Sequence, residues 1–395
     1  MKLPSADWRT RAGLDALTAV LGVDEARFVG GAVRDTLIGL PVSDVDIATR
    51  HAPDGVVALL KAAGIRVVPT GLAHGTVTAV TAGGPVEVTT LRRDVATDGR
   101  HAVVAFTGDW QVDASRRDFT MNALYADPAS GEIFDYFGGL DDLAAGRVRF
   151  IGDARSRIAE DHLRILRFFR FHARFGQDDS IDEEGLAACA ERANDLMALS
   201  RERIAAELLK LLVARHAVAV MALMIEHDIL RAVLPEIDTA AAGRLAALAE
   251  MEAAHGIPAD AIRRLAVLMP PQAATAVGAR LRLSNADRRR LEAATAGPGC
   301  EGPQGLAYRF GPQIACDRLL VAGEDPAPAL AWTAPALPIG GGTLVAMGMT
   351  KGPDVARTLK AVETRWIAEG FPDAARTRAI AAELVAQALG GAIIA

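Results

Sequence analysis

The sequence predicts an α+β chain: a small head built on a mixed sheet over residues 1–150, followed by helical regions over 151–255 and 256–395. Three observations predict it. The first ~140 residues alternate strand-like apolar runs with helical periodicity, separated by short glycine and proline breaks. After Asp153 the apolar period is helical almost throughout, and its breaks fall near 177–180, 256–258, 298–305 and 325–342, as expected of several helical subdomains. A chain of 395 residues that is 51% hydrophobic can bury more than one core, and its composition does not signal disorder.

Taken in order, the head opens with an apolar strand end at Phe28-Val29, the pair Gly30-Gly31 and a helix over 32–37. The glycines let backbone amides and the positive helix end approach a phosphate, and Arg34 adds a charge one turn later. Next comes Asp44-Val45-Asp46-Ile47-Ala48. If 45–48 is a strand, alternation places Asp44 and Asp46 on one face and Val45 and Ile47 in the core, so that two hard oxygen ligands share one cation site. Either half alone is also ordinary turn chemistry; together, in one strand-turn-helix-loop-strand unit, they point to metal-assisted phosphate chemistry.

Pro53 opens a further helix that Gly64 ends, and 82–85 reads as a hairpin turn. On the strand after it Glu87 alternates with Val86 and Val88, which makes it either a third carboxylate beside the aspartates or an exposed hairpin side chain. Asp94 and Arg100 follow on a loop expected to respond to nucleotide. The string Ser115-Arg116-Arg117-Asp118-Phe119-Thr120-Met121-Asn122 puts two guanidinium forks and a carboxylate on a short polar turn, a combination suited to phosphate oxygens and a sugar hydroxyl.

A helix is predicted over 158–175. At 100° per residue, Glu160, Arg164, Arg167 and Arg174 fall within an arc of ~80°, with Ile158, Ile165, Phe169 and Ala173 opposite. Asp161 and Arg164 are three apart, so one acceptor and one donor fork can meet the same planar ligand. Cytosine and adenine both offer an exocyclic amino donor beside a ring-nitrogen acceptor; uracil and guanine reverse that order. Arg155, Arg157, Arg164, Arg167, Arg170 and Arg174 gather positive charge directly after the head, and Arg170 and Arg174 are candidate contacts for a polyanion such as RNA. Ser200 reads as the cap of a helix that carries no assigned chemistry.

Toward the carboxy terminus, 337–342 and 348–353 read as glycine turns before helices, with Lys351 and Arg357 as candidate RNA contacts. The net charge of −6 argues against a general nucleic-acid binder. Cys189, Cys300 and Cys316 follow no zinc or disulfide spacing, no apolar signal core is present and no stretch of spanning length lacks a charge or proline, so a cytoplasmic location is expected, with neither membrane association nor an obligate protein partner.

The blocks GGAVRD, SDVDIAT, SRRDFTMNAL and EDHLR, in this order, resemble the class II tRNA nucleotidyltransferase (CCA-adding) and bacterial poly(A) polymerase family. The resemblance implies a polymerase-beta-like nucleotidyltransferase head, template-independent and Mg²⁺-dependent by a two-metal mechanism, which adds CCA to the 3′ end of tRNA from CTP and ATP with release of pyrophosphate. It implies metal ligation and catalysis by Asp44, Asp46 and Glu87, and nucleotide binding by Gly30, Gly31, Arg34, Asp94, Arg100, Arg116, Arg117, Asp118, Asn122, Glu160, Asp161, Arg164 and Arg167. It implies base selection by Asp161 and Arg164, with Glu160 buttressing Arg164, and a carboxy-terminal part that holds the tRNA elbow. Poly(A) polymerase is the nearest alternative, and the CCA-like stretch at 70–77 leans against it. A catalytically silent nucleotide- or RNA-binding module is the alternative from another class. Relatives with a His-Asp phosphohydrolase domain carry a metal pair that Pro270-Pro271 replaces here, and His227-Asp228 reads as surface.

Overall fold

The computed structural model describes residues 1–98, 101–177, 180–350 and 352–391, with backbone alone for 94–98, 101–103 and 390–391. It divides into two compact units, Met1–Thr239 and Ala240–Ala395.

The first unit begins with a short turn of helix at Asp7–Thr10 and helix α1 (Leu14–Leu21), then β1 (Ala26–Val29), α2 (Gly31–Leu37), β2 (Asp46–Thr49), α3 (Pro53–Ala62), β3 (Arg66–Gly71), β4 (Thr76–Thr81) and β5 (Gly84–Thr90). After β6 (Arg92–Asp98) and β7 (His101–Phe106) come α4 (Trp110–Ser115), β8 (Leu124–Ala126), β9 (Ile133–Asp135) and α5 (Gly139–Ala144). Seven strands form one mixed sheet in the order β3-β4-β5-β2-β1-β8-β9, while β6 and β7 pair in a separate hairpin. The mixed character comes from the single parallel pair, β2 with β5, in which Asp46 lies opposite Glu87 and Ile47 opposite Val88. Alternation decides which faces are wet: Val45, Ile47, Val86 and Val88 are buried, while Glu87 is exposed.

The sheet is followed by α6 (Ala154–Glu160), α7 (Leu163–Phe175), α8 (Glu183–Glu191), α9 (Arg201–Leu212) and α10 (Ala217–Glu226). Rings seat α7 on the 115–122 turn. Phe119 packs 5.1 Å from both Phe150 and Phe171, and Phe150 stacks on Phe168 at 5.5 Å.

Several expectations need correction. The helix foreseen over 158–175 is broken: Asp161 is extended (φ −150°, ψ 105°) and ends α6. Its carboxylate accepts from the Leu163 amide at 3.1 Å, a local bond that competes with helix continuation. Strand β2 starts at Asp46, so Asp44 belongs to the loop before it. Asp94 lies on strand β6, in register with Val104, because β7 supplies the backbone partners a loop would lack. Ser200 does occupy the cap position of α9, but its hydroxyl makes no capping bond.

The second unit is helical: α11 (Ala241–Ala254), α12 (Ala261–Val267), α13 (Ala274–Arg280), α14 (Asn285–Thr295), α15 (Gly302–Phe310), α16 (Pro312–Ala322), α17 (Ala327–Leu330), α18 (Gly341–Ala346), α19 (Pro353–Ala368) and α20 (Ala374–Gly391). Among the described residues no helix is long and apolar enough to cross a membrane. The unit is tied internally by a buried charge network. Asp317, fully buried, accepts from Arg263 Nε at 2.9 Å and Arg290 Nε at 2.7 Å, and Arg263 also donates to Glu252 at 2.8 Å. Removing one partner strands buried charge, so Asp317→Ala is expected to destabilise this unit by about 3–5 kcal/mol. Urea denaturation followed by circular dichroism would show it as a lower midpoint for that unit.

Candidate active site

Three pieces of chain come together in the first unit. The first is the carboxylate pair set by strand register, Asp46 and Glu87, with Asp44 just before β2. Asp44 is exposed, and its Oδ2 accepts from the Ser43 hydroxyl at 2.8 Å. Burial, then the charges of Glu87 and Asp44, raise the Asp46 carboxyl above the usual carboxylate range, and Arg117 only partly opposes them. A carboxylate crowded by like charge favours a cation. Among the described residues, no three His, Cys, Asp or Glu side chains close into a ready-made metal shell. Mg²⁺ is commonly held by one or two carboxylates plus substrate phosphates, so an open donor set of this kind fits that ion.

The second piece is the turn after α4, organised by a residue the sequence reading passed over. Asp113 is 1% exposed and accepts from Arg116 Nε at 2.9 Å, Arg117 Nη2 at 3.3 Å and the Tyr125 hydroxyl at 2.6 Å. Burial works against its charge, but Arg117 and Arg116 outweigh that and hold the carboxyl below its ordinary value. Its position three and four residues before the arginines was a usable helix signal. Tyr125 gave none, since only the fold brings β8 beside α4.

Gly30 sits against this turn with φ +69°, a conformation that disfavours any side chain, and a Cβ there would lie 3.5 Å from Arg117 Nη1. From Gly31 onward α2 joins a relay. Arg174 contacts Asp35 at 3.1 Å, and Asp35 accepts from Arg34 Nε at 2.7 Å. Arg34 Nη1 donates to Asn122, whose amide donates to Asp118 Oδ1 at 2.9 Å. Asp118 Oδ2 then accepts from Arg167 Nε at 2.8 Å. Burial disfavours charge on Asp118, yet Arg167 and the Asn122 and Phe119 donors keep its carboxyl low. Arg34 is therefore a buried link of this relay, bonded to Asp35 and Asn122.

The third piece is the α6–α7 break. Arg164 Nη1 donates to Glu160 Oε2 at 2.5 Å and to the Arg157 carbonyl at 2.7 Å, and Nη2 donates to the Arg116 carbonyl at 3.0 Å, so the break and the arginine turn are fastened together. Glu160 is thus bonded to Arg164, the residue it is expected to buttress. Asp161 Oδ2 accepts from Arg203 Nη2 at 2.8 Å, a partner from α9 with no sequence signal.

Other candidates lie apart from this cluster. Arg170 is paired with Glu207 at 2.5 Å and largely buried. Arg357 is exposed in the second unit beside Asp354. Arg100 and Lys351, together with the side chain of Asp94, lie outside the described residues.

The head thus presents paired carboxylates on a mixed sheet beside an arginine-rich turn. Residues 26–149 match the model of the poly A polymerase head domain, and residues 180–241 that of the probable RNA- and SrmB-binding site of polymerase A. The chain is 45% identical to the human mitochondrial CCA tRNA nucleotidyltransferase 1 over 235 residues, 58% of this chain and 54% of that one. It is 42% identical to the CCA-adding enzyme of Leuconostoc citreum over 209 residues, 52% of this chain and 50% of the other. The matched region thus spans about half the length of these curated relatives. Among solved structures, the Bacillus stearothermophilus CCA-adding enzyme in complex with CTP superimposes with a TM-score of 0.69 at 27% identity, covering 96% of this chain and 98% of that one. The Thermotoga maritima CCA-adding enzyme complexed with tRNA-CCA shares the fold, with a TM-score of 0.70 at 19% identity over 95% of each chain. By sequence, residues 26–149 are similar to a poly A polymerase head domain, and these curated relatives are CCA-adding enzymes.

Proposed function

We propose that this chain adds C, C and A to the 3′ end of tRNA from CTP and ATP, without a template and with release of pyrophosphate. The observation that carries the reading is the arrangement just described: carboxylates on β2 and β5 beside an arginine turn that is itself bonded to the Asp161–Arg164 break. The likeness to a CCA-adding enzyme that holds CTP supports it. Asp44, Asp46 and Glu87 would hold Mg²⁺, which when bound favours deprotonation of the terminal 3′-hydroxyl and orients the triphosphate. Arg116 and Arg117, held by Asp113, would place phosphate oxygens, with the Gly30-Gly31 backbone alongside; Asp118 would orient the ribose. Asp161 would accept from the amino group of cytosine or adenine, and Arg164 would donate to the ring nitrogen beside it. For this Arg203 must share Asp161 with the base, which the second lone pair on each carboxylate oxygen permits. The separated cysteines support a reducing compartment, and we place the enzyme in the cytoplasm, although the human relative's name assigns that protein to mitochondria.

The test is incubation of the protein and Mg²⁺ with a tRNA transcript that lacks its terminal CCA, supplying CTP, ATP or both, and sizing the products. Two additions with CTP and one more with ATP are expected. A long ladder with ATP alone would move the assignment to poly(A) polymerase, and no extension would leave a silent binding module. In the same assay Asp161→Ala is expected to lower the preference for CTP over UTP by about 10²-fold or more, because a site built to hydrogen-bond a base rejects a mismatched edge strongly. An unchanged preference would remove Asp161 from base selection.

A further inference from the structure

The amino-terminal segment around residues 8–13, which lies before the matched head region at 26–149, touches α2, β1, the turn into β5 and the loop before β2. Trp8, 5% exposed, donates from its indole N–H to the Thr36 hydroxyl of α2 at 2.8 Å and packs edge-on against Phe28 of β1 at 4.8 Å. The carbonyl of Ala12 accepts from the Gly83 amide, in the turn that leads into β5, at 2.7 Å. That approach requires glycine, since a Cβ at Gly83 would lie 2.9 Å from both the Ala12 nitrogen and Arg11 Cβ. Arg11 reaches the loop before β2: its Nη1 donates to the Ser43 carbonyl at 3.0 Å and its Nη2 to the Val42 carbonyl at 2.8 Å.

We infer that this segment is a strap that preorganises the cation site, and that Arg11 is a positioning residue for Asp44. The inference rests on the reading of Asp44 as a metal ligand. Residues 39–44 have no regular structure, and Leu40, Ser43 and Asp44 are exposed; the buried Val45, whose carbonyl accepts from the Glu87 amide at 3.3 Å, fixes the stretch only from the β2 side. Arg11 clamps the two carbonyls directly before Asp44 with both arms of one fork, a two-point restraint that a single charge does not reproduce. The Ser43 hydroxyl then orients the Asp44 carboxylate. A ligand held in place loses less freedom when the cation arrives, so the strap raises cation affinity without touching the cation or the nucleotide.

The test measures Mn²⁺ binding to the full chain by electron paramagnetic resonance, with CTP and without tRNA, beside the Mg²⁺ concentration that half-saturates CTP addition. Arg11→Met is expected to weaken Mn²⁺ binding about tenfold and to raise the half-saturating Mg²⁺ by a similar factor, with kcat restored at saturating Mg²⁺. Arg11→Lys, whose ammonium reaches one carbonyl, should fall between. Wild-type Mn²⁺ affinity in Arg11→Met overturns the inference, as does a kcat that added Mg²⁺ cannot restore. Should Arg11→Met not fold, judged by thermal unfolding, Arg11→Lys decides alone: weakened Mn²⁺ binding supports the strap, and wild-type affinity overturns it. Asp44→Asn separates the two ideas. If it binds Mn²⁺ as the wild type does, the ligand reading of Asp44 fails, whatever Arg11 does.

Discussion

Asp46→Asn is expected to slow CTP addition by on the order of 10³-fold or more while making the protein more stable. The loss should fall on kcat, because the carboxylate would hold the cation that offsets the negative charge developing during transfer, and removal of such electrostatic support is felt on this scale. Rapid-quench single-turnover addition to a tRNA lacking CCA would measure it. The stability gain follows from the site's own electrostatics. Burial and the neighbouring Glu87 and Asp44 raise the Asp46 carboxyl in the folded chain. A raised carboxyl means that the folded state binds its proton more tightly than the unfolded state, so ionised Asp46 opposes folding once pH exceeds the unfolded value of about 4. The variant should therefore unfold at a higher temperature at pH 7.5, and its advantage should shrink as pH falls toward 4. Such a trade of stability for activity is common where a site gathers like charge. An Asp46→Asn protein with wild-type kcat would remove Asp46 from the chemistry; equal melting temperatures at pH 7.5 would contradict the electrostatic account.

Asp113→Ala is expected to cost about 3–5 kcal/mol, since it strands Arg116 and Arg117 beside an emptied buried anchor. Both arginines lose their common acceptor, and the Tyr125 hydroxyl loses its own. Activity should fall with stability, and the KM for CTP should rise in the fraction that folds. Asp113→Asn keeps the shape and removes the charge, which allows a pH test with the opposite sign to that of Asp46. The arginines hold the Asp113 carboxyl below its ordinary value. Its contribution is therefore fully present above the unfolded value of about 4 and is lost as pH falls through the lower folded value. Denaturant titrations should show the wild type ahead of Asp113→Asn at pH 7 and the gap narrowing below pH 4. A gap that widens on acidification would contradict this role.

Much of the head was legible in local pattern. Alternation around Val45 and Ile47, and around Glu87 between Val86 and Val88, correctly separated wet from dry faces, because strand side chains alternate whatever else the protein does. The Gly30-Gly31 pair marked the entry to α2, and Gly30 indeed needs a positive φ. The helix foreseen over 158–175 was misread for an equally physical reason. Apolar period runs straight across Asp161 and His162, and the break is held by the Leu163 amide, Arg203 and the Arg164 contacts. Of these, Arg203 and the Arg116 carbonyl are distant in sequence.

The sequence by itself determined the class of chemistry. The carboxylates, arginines and glycines are local strings whose spacing on strands and turns constrains what they can bind. Tertiary structure alone decided which of those charges are available. Arg34 and Arg170 pair with Asp35 and Glu207 and keep 7% and 12% of their side chains exposed, while Arg116 and Arg117, paired with Asp113, keep 16% and 20%. Tyr125, Arg203 and Arg11 became neighbours of Asp113, Asp161 and Ser43 only through contacts made across the fold. The reason is range: side-chain alternation and helical period act over a few residues, whereas the partner of a buried charge is chosen by whichever element packs against it, and leaving that charge unpaired costs too much for the choice to stay open.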